Sequence, residues 1–213
     1  MDKISVIIRN RNEQDYIGFA IQSCLDFFKT PEIIIVDNNS IDNSIEIVNL
    51  FSDRTVIKIL NNESYTPGKS INLGVKNASS EYIMILSAHA QIKNLDFEIV
   101  KENLKKYSAI FGKQIPIYKG KKITPRYIWN HFGDEPVINM FSESEKRYFF
   151  HNAFSFFKKE TLIDFPFDEV HPGKEDRFWV NELIENKRKF LYEPRLQMNH
   201  FYTQAGATWK GIG

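Results

Sequence analysis

The stretch ISVIIRNRNE, residues 4–13, sets an apolar run directly against a polar one. The run from Ile4 to Ile8 is rich in β-branched residues and is typical of a buried strand, and Arg9 closes it. It is too short for the apolar core of a signal peptide or for a helix that spans a bilayer. We therefore interpret it as the first strand of a folded domain, and we expect a cytoplasmic protein.

The segments that follow this strand alternate between helical and strand periodicity. Residues 16–28 and 44–51 place apolar side chains at spacings of three and four, as amphipathic helices do. Short apolar runs typical of buried strands occupy residues 32–36, 56–60 and 82–86, and a helix is predicted over residues 68–78. This alternation predicts an α/β fold with a mostly parallel central sheet flanked by helices.

The composition is that of an ordinary soluble domain. The chain has 213 residues, of which 42% are hydrophobic and 26% are charged, and its net charge is only +1. Such a balance does not favour nucleic acid as a partner. The single cysteine, Cys24, excludes an internal disulfide and lies in a helical stretch, so we interpret it as a packing residue.

Polar residues follow three of the predicted strands at the point where each strand ends. Arg9 to Glu13 follow the first, Asp37 to Ser40 follow the second, and Ser87 and His89 follow the fourth. Because ligands of such sheets bind outside the carboxyl ends of the strands, we expect one site there. The alternative is local: residues 37–39 form a turn, and Ser40 or Asn43 caps the next helix.

Several of these segments together resemble a known protein family. ISVIIRNRNE, EIIIVDNNSIDNSIEIV and PGKSINLGVKNASSEYIMILSAH, in that order, resemble the nucleotide-binding half of family 2 glycosyltransferases, which have the GT-A fold. Residues 151–202 resemble the acceptor-binding half of the same family. The resemblance implies a single GT-A domain over residues 1–213, with a nucleotide-sugar half at 1–113 and an acceptor half at 114–213.

The function that the resemblance implies is the inverting transfer of a sugar from a nucleotide-diphosphate sugar to a glycan or lipid-linked acceptor. The SAH triplet, residues 87–89, and the closing NHFYTQAGATWKGIG, residues 199–213, are most similar to bacterial enzymes of capsule, O-antigen and other surface polysaccharide synthesis. One alternative is a catalytically silent nucleotide- or glycan-binding module with the same fold. A nucleotidyltransferase is disfavoured because no Gly-rich phosphate loop follows the first strand.

The Glu-Asp pair in GKEDRFWVNELI is the candidate catalytic pair. By the resemblance, Asp176 is the base that removes the proton of the acceptor hydroxyl, with Glu175 beside it. The alternative is that two acids simply favour the positive end of a helix dipole.

A larger set of residues is expected to bind the nucleotide sugar. By the resemblance, Asp37 binds the nucleobase or ribose, and the segment around Arg9 and Asn10 closes over it. Lys69 lies near a predicted helix start, where it and exposed backbone amides could reach phosphate, although a solvated surface lysine fits as well. The full set is Arg9, Asn10, Asp37, Asn39, Lys69 and Ser87.

The strand end at residues 87–89 departs from the family pattern. The family's Asp-x-Asp motif, which holds a divalent cation, is replaced here by Ser87, Ala88 and His89. We expect a divalent metal, Mn²⁺ or Mg²⁺, with His89 as a ligand and with Mg²⁺ bound more weakly. The late His200 is a second candidate ligand or a diphosphate contact, or else a structural histidine. Two alternatives for His89 stay open: a direct hydrogen bond to the diphosphate, or a buried histidine bonded to backbone.

By the resemblance, Gln114 and Asn152 lie where contacts to the donor sugar or the acceptor are expected, although either could satisfy local backbone groups instead. A basic and aromatic stretch runs from Tyr118 to Pro136, and the composition of its part from Tyr118 to Trp129 suits an anionic membrane surface or a lipid-diphosphate acceptor. A solvated loop is the alternative. Peripheral contact with the inner face of the membrane is a further expectation.

Overall fold

The computed structural model describes residues 3–122 and 131–203. The helices are α1 (Ile17–Phe27), α2 (Ser44–Asn49), α3 (Pro67–Asn77), α4 (Phe97–Leu104), α5 (Lys159–Asp164) and α6 (Glu175–Glu185). The strands are β1 (Ile4–Asn10), β2 (Glu32–Asp37), β3 (Val56–Asn61), β4 (Tyr82–Ser87), β5 (Ala90–Asn94), β6 (Ala109–Tyr118), β7 (Lys121–Lys122), β8 (Val137–Ile138), β9 (Phe141–Ser142), β10 (Arg147–Tyr148), β11 (Phe154–Lys158) and β12 (Phe190–Phe201).

The predicted alternation of strands and helices is confirmed through β4. The main sheet has the order β3-β2-β1-β4-β11-β6-β12-β5, with β7 paired to β6 and β8 to β12. Strands β1 to β4 are parallel to one another, and β6 and β12 are parallel to each other. The antiparallel strand β11 lies between β4 and β6, so the sheet continues unbroken from the first half of the chain into the second. The division expected between residues 113 and 114 falls inside β6.

The order of the first four strands reverses at β1, which lies between β2 and β4. The carboxyl ends of these three strands therefore flank a crevice of the kind in which open α/β sheets bind their ligands. The register aligns Arg9 with both Val36 and Ser87, and Asn10 with Asp37. The polar residues that follow the strands are thus level with one another at one edge.

Both faces of the sheet are buried. One apolar cluster packs α1 and α4 against the sheet, and it includes Cys24, which is fully buried as expected of a packing residue. The other cluster, on the side of α3 and α6, is dominated by aromatic rings. At its centre Trp179 of α6 stacks on Phe167 and donates its indole N–H to the carbonyl of Phe165, 2.7 Å away. This packing fixes α6, whose first turn carries the Glu-Asp pair.

Two predicted features lie partly or wholly outside the described residues. Of the basic and aromatic segment at residues 118–136, residues 123–130 are not described, and neither is the stretch at 204–213. Of the helices in the described ranges, none has the length and apolarity needed to cross a bilayer.

The start of α3 is held against the second half of the chain by a close backbone approach. A Cβ atom on Gly68 would lie 1.8 Å from the carbonyl oxygen of Asp168. We predict that Gly68→Ala lowers the free energy of unfolding by about 3 kcal/mol, because backbone must move to admit the methyl group. Gly133→Ala is the matched control, since nothing lies within 4 Å of the position that its methyl group would take. Urea denaturation measures both, and equal midpoints for the two variants would contradict the prediction.

Candidate active site

The polar residues after β1, β2 and β4 meet at the crevice, as predicted. The Asn10 amide donates to Asp37 Oδ1 at 2.8 Å, which joins the ends of β1 and β2. A carboxylate oxygen of Glu13 lies 2.9 Å from Nδ1 of His89, which joins the loop after β1 to the end of β4. The three sets of residues therefore form one continuous polar wall.

Asp37 is buried and is held by donors on both of its oxygens. The hydroxyl and the backbone N–H of Ser40 donate to it at 2.6 and 3.0 Å, in addition to the Asn10 amide. These bonds fix the orientation of the carboxyl group. Asp37 is thus a rigid acceptor at the crevice, which suits recognition of N–H or O–H groups of a nucleoside.

The local alternative for residues 37–40 is correct in one respect and wrong in another. The chain does turn here, with exposed Asn39 in the left-handed region at φ 52°. The helix after it is not capped by Ser40 or Asn43, however. The side chain of Asn43 makes no capping hydrogen bond, and Ser40 bonds Asp37 instead. Asp42 fills that role by accepting from the backbone N–H of Ser44 at 3.0 Å.

An ion pair connects the crevice to α6. The guanidinium Nη1 of Arg9 lies 3.0 Å from Oε1 of Glu175, and the amide of Asn152 donates to the same oxygen at 2.9 Å. The Glu175 and Arg9 side chains are 10% and 25% exposed, so solvent screens the pair poorly. Of the residues expected to contact the nucleotide or sugar, Arg9 and Asn152 are therefore brought together on Glu175.

The pKa values of the two acids in the Glu-Asp pair are shifted in opposite directions. Burial opposes ionisation of Glu175, but the Arg9 charge and the Asn152 hydrogen bond outweigh it and hold the pKa of Glu175 below its ordinary value. Burial and the adjacent Glu175 charge raise the pKa of Asp176 to about 7, against the pull of Arg147 and Arg177. Glu175 is thus a fixed anion, and Asp176 can exchange a proton near neutral pH.

Arg147 and Arg177 belong to a network that sequence reasoning missed. Arg147 of β10 donates Nε–H to Glu145, and Arg177 of α6 lies 3.8 Å from the same carboxylate. Both guanidinium groups favour the ionised form of Asp176, in opposition to the charge of Glu175. The residues 145–147 lie in a hairpin without strand periodicity, so no pattern in the sequence pointed to them.

His89 is fixed by two side chains at the end of β4. Glu13 binds Nδ1 and the Ser87 hydroxyl lies 3.2 Å from Nε2. A carboxylate only accepts, so Nδ1 carries a proton, and in the neutral imidazole Nε2 carries the lone pair. The contact that Ser87 makes in this structure is thus support of the His89 ring. The contact of Glu13 with His89 was not predicted, although both residues follow strands.

His200 meets His89, as required if both are to bind one group. The antiparallel pairing of β12 with β5 brings the two rings into a stack with centroids 4.9 Å apart and planes within 10°. His200 is buried, and its Nδ1 lies 2.7 Å from the side-chain oxygen of Gln114. Burial and the two neighbouring histidines lower the pKa of His200 well below its ordinary value. It is a neutral imidazole with its lone pair on Nε2.

The residues at this corner fit a divalent cation only in part. Within residues 3–122 and 131–203, no group of three or more His, Cys, Asp or Glu side chains is arranged to hold a metal ion. In their neutral forms the two imidazoles offer nitrogen ligands of the kind that Mn²⁺ and softer ions accept, and Glu13 orients His89 as carboxylates orient metal-bound histidines. An ion here would need phosphate oxygens to complete its shell.

Lys69 stands apart from this cluster. Its side chain donates to Ser64, and its backbone N–H is bonded to the hydroxyl of Thr66 at 3.2 Å. The N–H of Ser70 is bonded to the Thr66 carbonyl. The expectation of exposed amides at this helix end is therefore wrong for these two residues, because Thr66 caps them.

The sequence of the chain is similar to those of known proteins. The sequence model of Glycosyl transferase family 2 matches residues 5–165. A protein of Campylobacter jejuni named GalNAc(5)-diNAcBac-PP-undecaprenol beta-1,3-glucosyltransferase is 27% identical over 98% of this chain, which spans 68% of that protein. TarS of Staphylococcus aureus, a poly(ribitol-phosphate) beta-N-acetylglucosaminyltransferase, is 32% identical over 53% of the chain, which corresponds to 19% of TarS.

Solved structures share the fold. The structure of TarS residues 1–349 in complex with UDP-GlcNAc superposes with a TM-score of 0.75 at 18% identity, covering 99% of this chain and 62% of that one. The structure of GalNAc-T7 with UDP, GalNAc and Mn²⁺ gives a TM-score of 0.70 at 15% identity, covering 97% and 45%. The GT-A fold expected from the sequence is confirmed.

The Arg9–Glu175 pair generates a stability prediction. In a double-mutant cycle of Arg9→Met and Glu175→Gln, we expect a coupling energy of about 2 kcal/mol, since each single variant leaves a buried group without its partner. The ionised Glu175 stabilises the fold above the unfolded-state pKa of about 4.3. The coupling should therefore persist from pH 5 upward and vanish as the pH falls through the lower folded-state pKa.

Urea denaturation of the four proteins at pH 7 and pH 3 measures this coupling. The exposed pair Lys105–Glu102 of α4 serves as control and should show no measurable coupling, because water screens it. Additive effects of the two crevice substitutions at pH 7 would contradict the interpretation.

Proposed function

The chain belongs to Glycosyl transferase family 2, and on that premise we propose that it is an inverting glycosyltransferase. It transfers a sugar from a nucleotide-diphosphate sugar to a hydroxyl group of a glycan or lipid-linked acceptor in the synthesis of a bacterial surface glycan. Residues 1–113 bind the donor and residues 114–213 bind the acceptor within a single GT-A domain.

The main support for this proposal is the difference in pKa between Glu175 and Asp176. A base for neutral pH needs a pKa near the working pH, and burial beside the ionised Glu175 gives Asp176 such a pKa. Its charge also acts on Arg9, which places it close to the end of β1. A module that only bound nucleotide or glycan would not need a carboxyl tuned in this way.

The reaction follows from these positions. The carboxylate of Asp176 takes the proton of the acceptor hydroxyl as that oxygen forms a bond to the anomeric carbon of the donor sugar. The bond from the anomeric carbon to the diphosphate oxygen breaks, and its electron pair leaves with the nucleoside diphosphate. Attack from the face opposite the leaving group inverts the configuration.

The remaining residues divide between recognition and support. Asp37, held by Asn10, receives donors from the nucleobase or ribose, and Asn39 lies on the exposed side of the same turn. Arg9 supplies positive charge near the diphosphate while its partner Glu175 is held by Asn152. We assign Lys69 to the outer rim of the phosphate site, because it extends from the first turn of α3.

The metal site is part of the proposal. His89 and His200 would hold a divalent cation, and Mn²⁺ would be preferred to Mg²⁺ because both protein ligands are imidazole nitrogens. Such an ion, when bound, neutralises charge on the diphosphate. Glu13 orients His89 and Gln114 orients His200, so that the lone pair of each neutral ring is on Nε2. The Ser87 hydroxyl, which donates to this atom of His89 here, would have to turn away from a bound ion.

The acceptor side is defined least by the described residues. Tyr118 packs edge-on against Tyr202 with ring centroids 4.8 Å apart, and Lys119 lies over the Tyr118 ring. This aromatic and basic character supports a lipid-linked acceptor and peripheral contact with the inner face of the membrane.

We predict that Asp176→Asn lowers turnover by about 10³-fold, because asparagine has the shape of aspartate but cannot accept the hydroxyl proton. Nucleotide affinity should stay within about threefold of wild type, since the residue acts on the acceptor. Turnover is measured as release of nucleoside diphosphate from UDP-, GDP- and dTDP-sugars, with water or an extracted lipid-linked glycan as acceptor. The exposed Asp164→Asn is the control. Near-normal turnover of folded Asp176→Asn would remove the base from the mechanism.

A second prediction concerns the metal. By calorimetry with UDP, GDP, dTDP and CMP, wild type in Mn²⁺ should bind one nucleotide at least about tenfold more tightly than in EDTA. His89→Ala should show the weak affinity under both conditions, whereas the exposed His171→Ala should match wild type. Wild-type binding that is indifferent to EDTA would instead place His89 in direct contact with phosphate.

A further inference from the structure

A third histidine, His151, lies between the two parts of the crevice. Its ring meets that of His200 edge-on, with centroids 6.4 Å apart. It directly precedes Asn152, which holds Glu175. His151 therefore stands between the stacked histidines and the Glu-Asp pair.

The tautomer of His151 is set by the backbone. The N–H of Ala153 donates to Nδ1 of His151 at 3.1 Å, so this nitrogen is an acceptor and the proton of the neutral ring is on Nε2. The carbonyl of the same Ala153 accepts from the N–H of Ser87 at 2.9 Å. The ring is thereby fixed to the end of β4, beside the position where His89 follows.

The Nε2–H group of His151 retains access to solvent. His151 is only partly buried, and no group in the described ranges bonds Nε2. Nor is Nε2 among the polar atoms that are buried without a partner. An oriented N–H donor at the edge of solvent is available to a bound substrate.

The surroundings of this ring keep it neutral. Burial is the main cause that lowers the pKa of His151 to about 4. Arg9, Arg147 and His89 act in the same direction, and the charge of Glu175 opposes them. The donor therefore does not change its protonation near neutral pH, and it adds no positive charge to the crevice.

The three histidines consequently offer different atoms. The acceptors on Nδ1 of His89 and His200 place the lone pairs of the neutral rings on their Nε2 atoms, and that of His89 accepts from the Ser87 hydroxyl. His151 presents a proton at the same ring position, which suits an anionic oxygen and not a cation. The three histidines thus have two chemical roles, and the group that bonds Nδ1 of each ring decides which role it has.

We propose that His151 is a further catalytic residue that donates its Nε2–H to a β-phosphate oxygen of the nucleoside diphosphate. This rests on the proposed function and assigns the donor that stabilises charge as the bond to the sugar breaks. A preorganised N–H at a developing oxyanion acts only where that charge appears, and it raises the rate accordingly.

Two substitutions of His151 distinguish a role of Nε2–H as a hydrogen-bond donor from a purely structural role of the ring. Asparagine at 151 can accept from Ala153 through Oδ1 but has no group at the Nε2 position, whereas glutamine places an N–H there. We expect His151→Asn to bind the preferred nucleoside diphosphate about tenfold more weakly than wild type and to bind the matching monophosphate equally well. His151→Gln should recover most of the diphosphate affinity. Calorimetry with UDP, GDP and dTDP and with their monophosphates measures this.

The control is His171→Asn, because His171 is 53% exposed in its side chain and bonds Asp168 outside the crevice. Wild type that binds none of the diphosphates would overturn the proposed function and this inference together. Wild type that binds, with His151→Asn unchanged or equally weakened for mono- and diphosphate, would overturn only the role of His151.

The wild-type protein provides an independent test that needs no folded variant. Long-range ¹⁵N–¹H spectra of the five histidines report which ring nitrogen carries each proton. We expect His151 protonated at Nε2, with the Nε2 resonance shifted by the diphosphate and not by the monophosphate. Protonation at Nδ1, or an Nε2 resonance that ignores the diphosphate, would overturn the proposal.

Discussion

The ion pair of Arg9 with Glu175 is the interaction on which the crevice depends. It joins the end of β1 to the first turn of α6, two elements that lie 166 residues apart in the chain. Both groups are largely removed from water, so neither can lose its partner without leaving a poorly solvated charge. Because α6 is also anchored by Trp179 in the aromatic cluster, the pair sets the distance between the carboxyl end of β1 and the Glu-Asp pair of α6.

The same pair explains how adjacent acids can differ. Burial raises the pKa of Asp176, and the charge of Glu175, which Arg9 keeps ionised against its own burial, raises that pKa further. The Arg147 and Arg177 guanidinium groups limit this rise. In the proposed mechanism Glu175 serves as a fixed charge and Asp176 as the base, which follows the general pattern in which environment separates the pKa values of paired acids.

The sequence predicted those features of the fold and site that arise from local pattern. Strand periodicity followed by polar residues located Arg9, Asp37, Ser87 and His89, since parallel strands bring their carboxyl ends to one edge. It could not predict the antiparallel β11 between β4 and β6, because strand order depends on packing of the whole chain.

The sequence could not predict the hydrogen-bond partners of these side chains for the same reason. Glu13 and His89 are 76 residues apart, and the tautomer of each histidine depends on such distant contacts. The role of His151 likewise follows from a backbone N–H that only the folded chain places against its ring. Residue types in a pattern indicate a site, but the atoms they present are decided by tertiary structure.

The measurement that tests the central claim most directly is the pH dependence of kcat/KM for nucleotide-sugar turnover, in wild type and in Glu175→Gln. If Asp176 acts as the base beside a fixed anion, the wild-type rate rises with pH through about 7, because the ionised carboxylate is the active form. Loss of the Glu175 charge should then move this midpoint to lower pH by about one unit. A wild-type profile that is flat across pH 5 to 8, or a midpoint unmoved in Glu175→Gln, would contradict the claim.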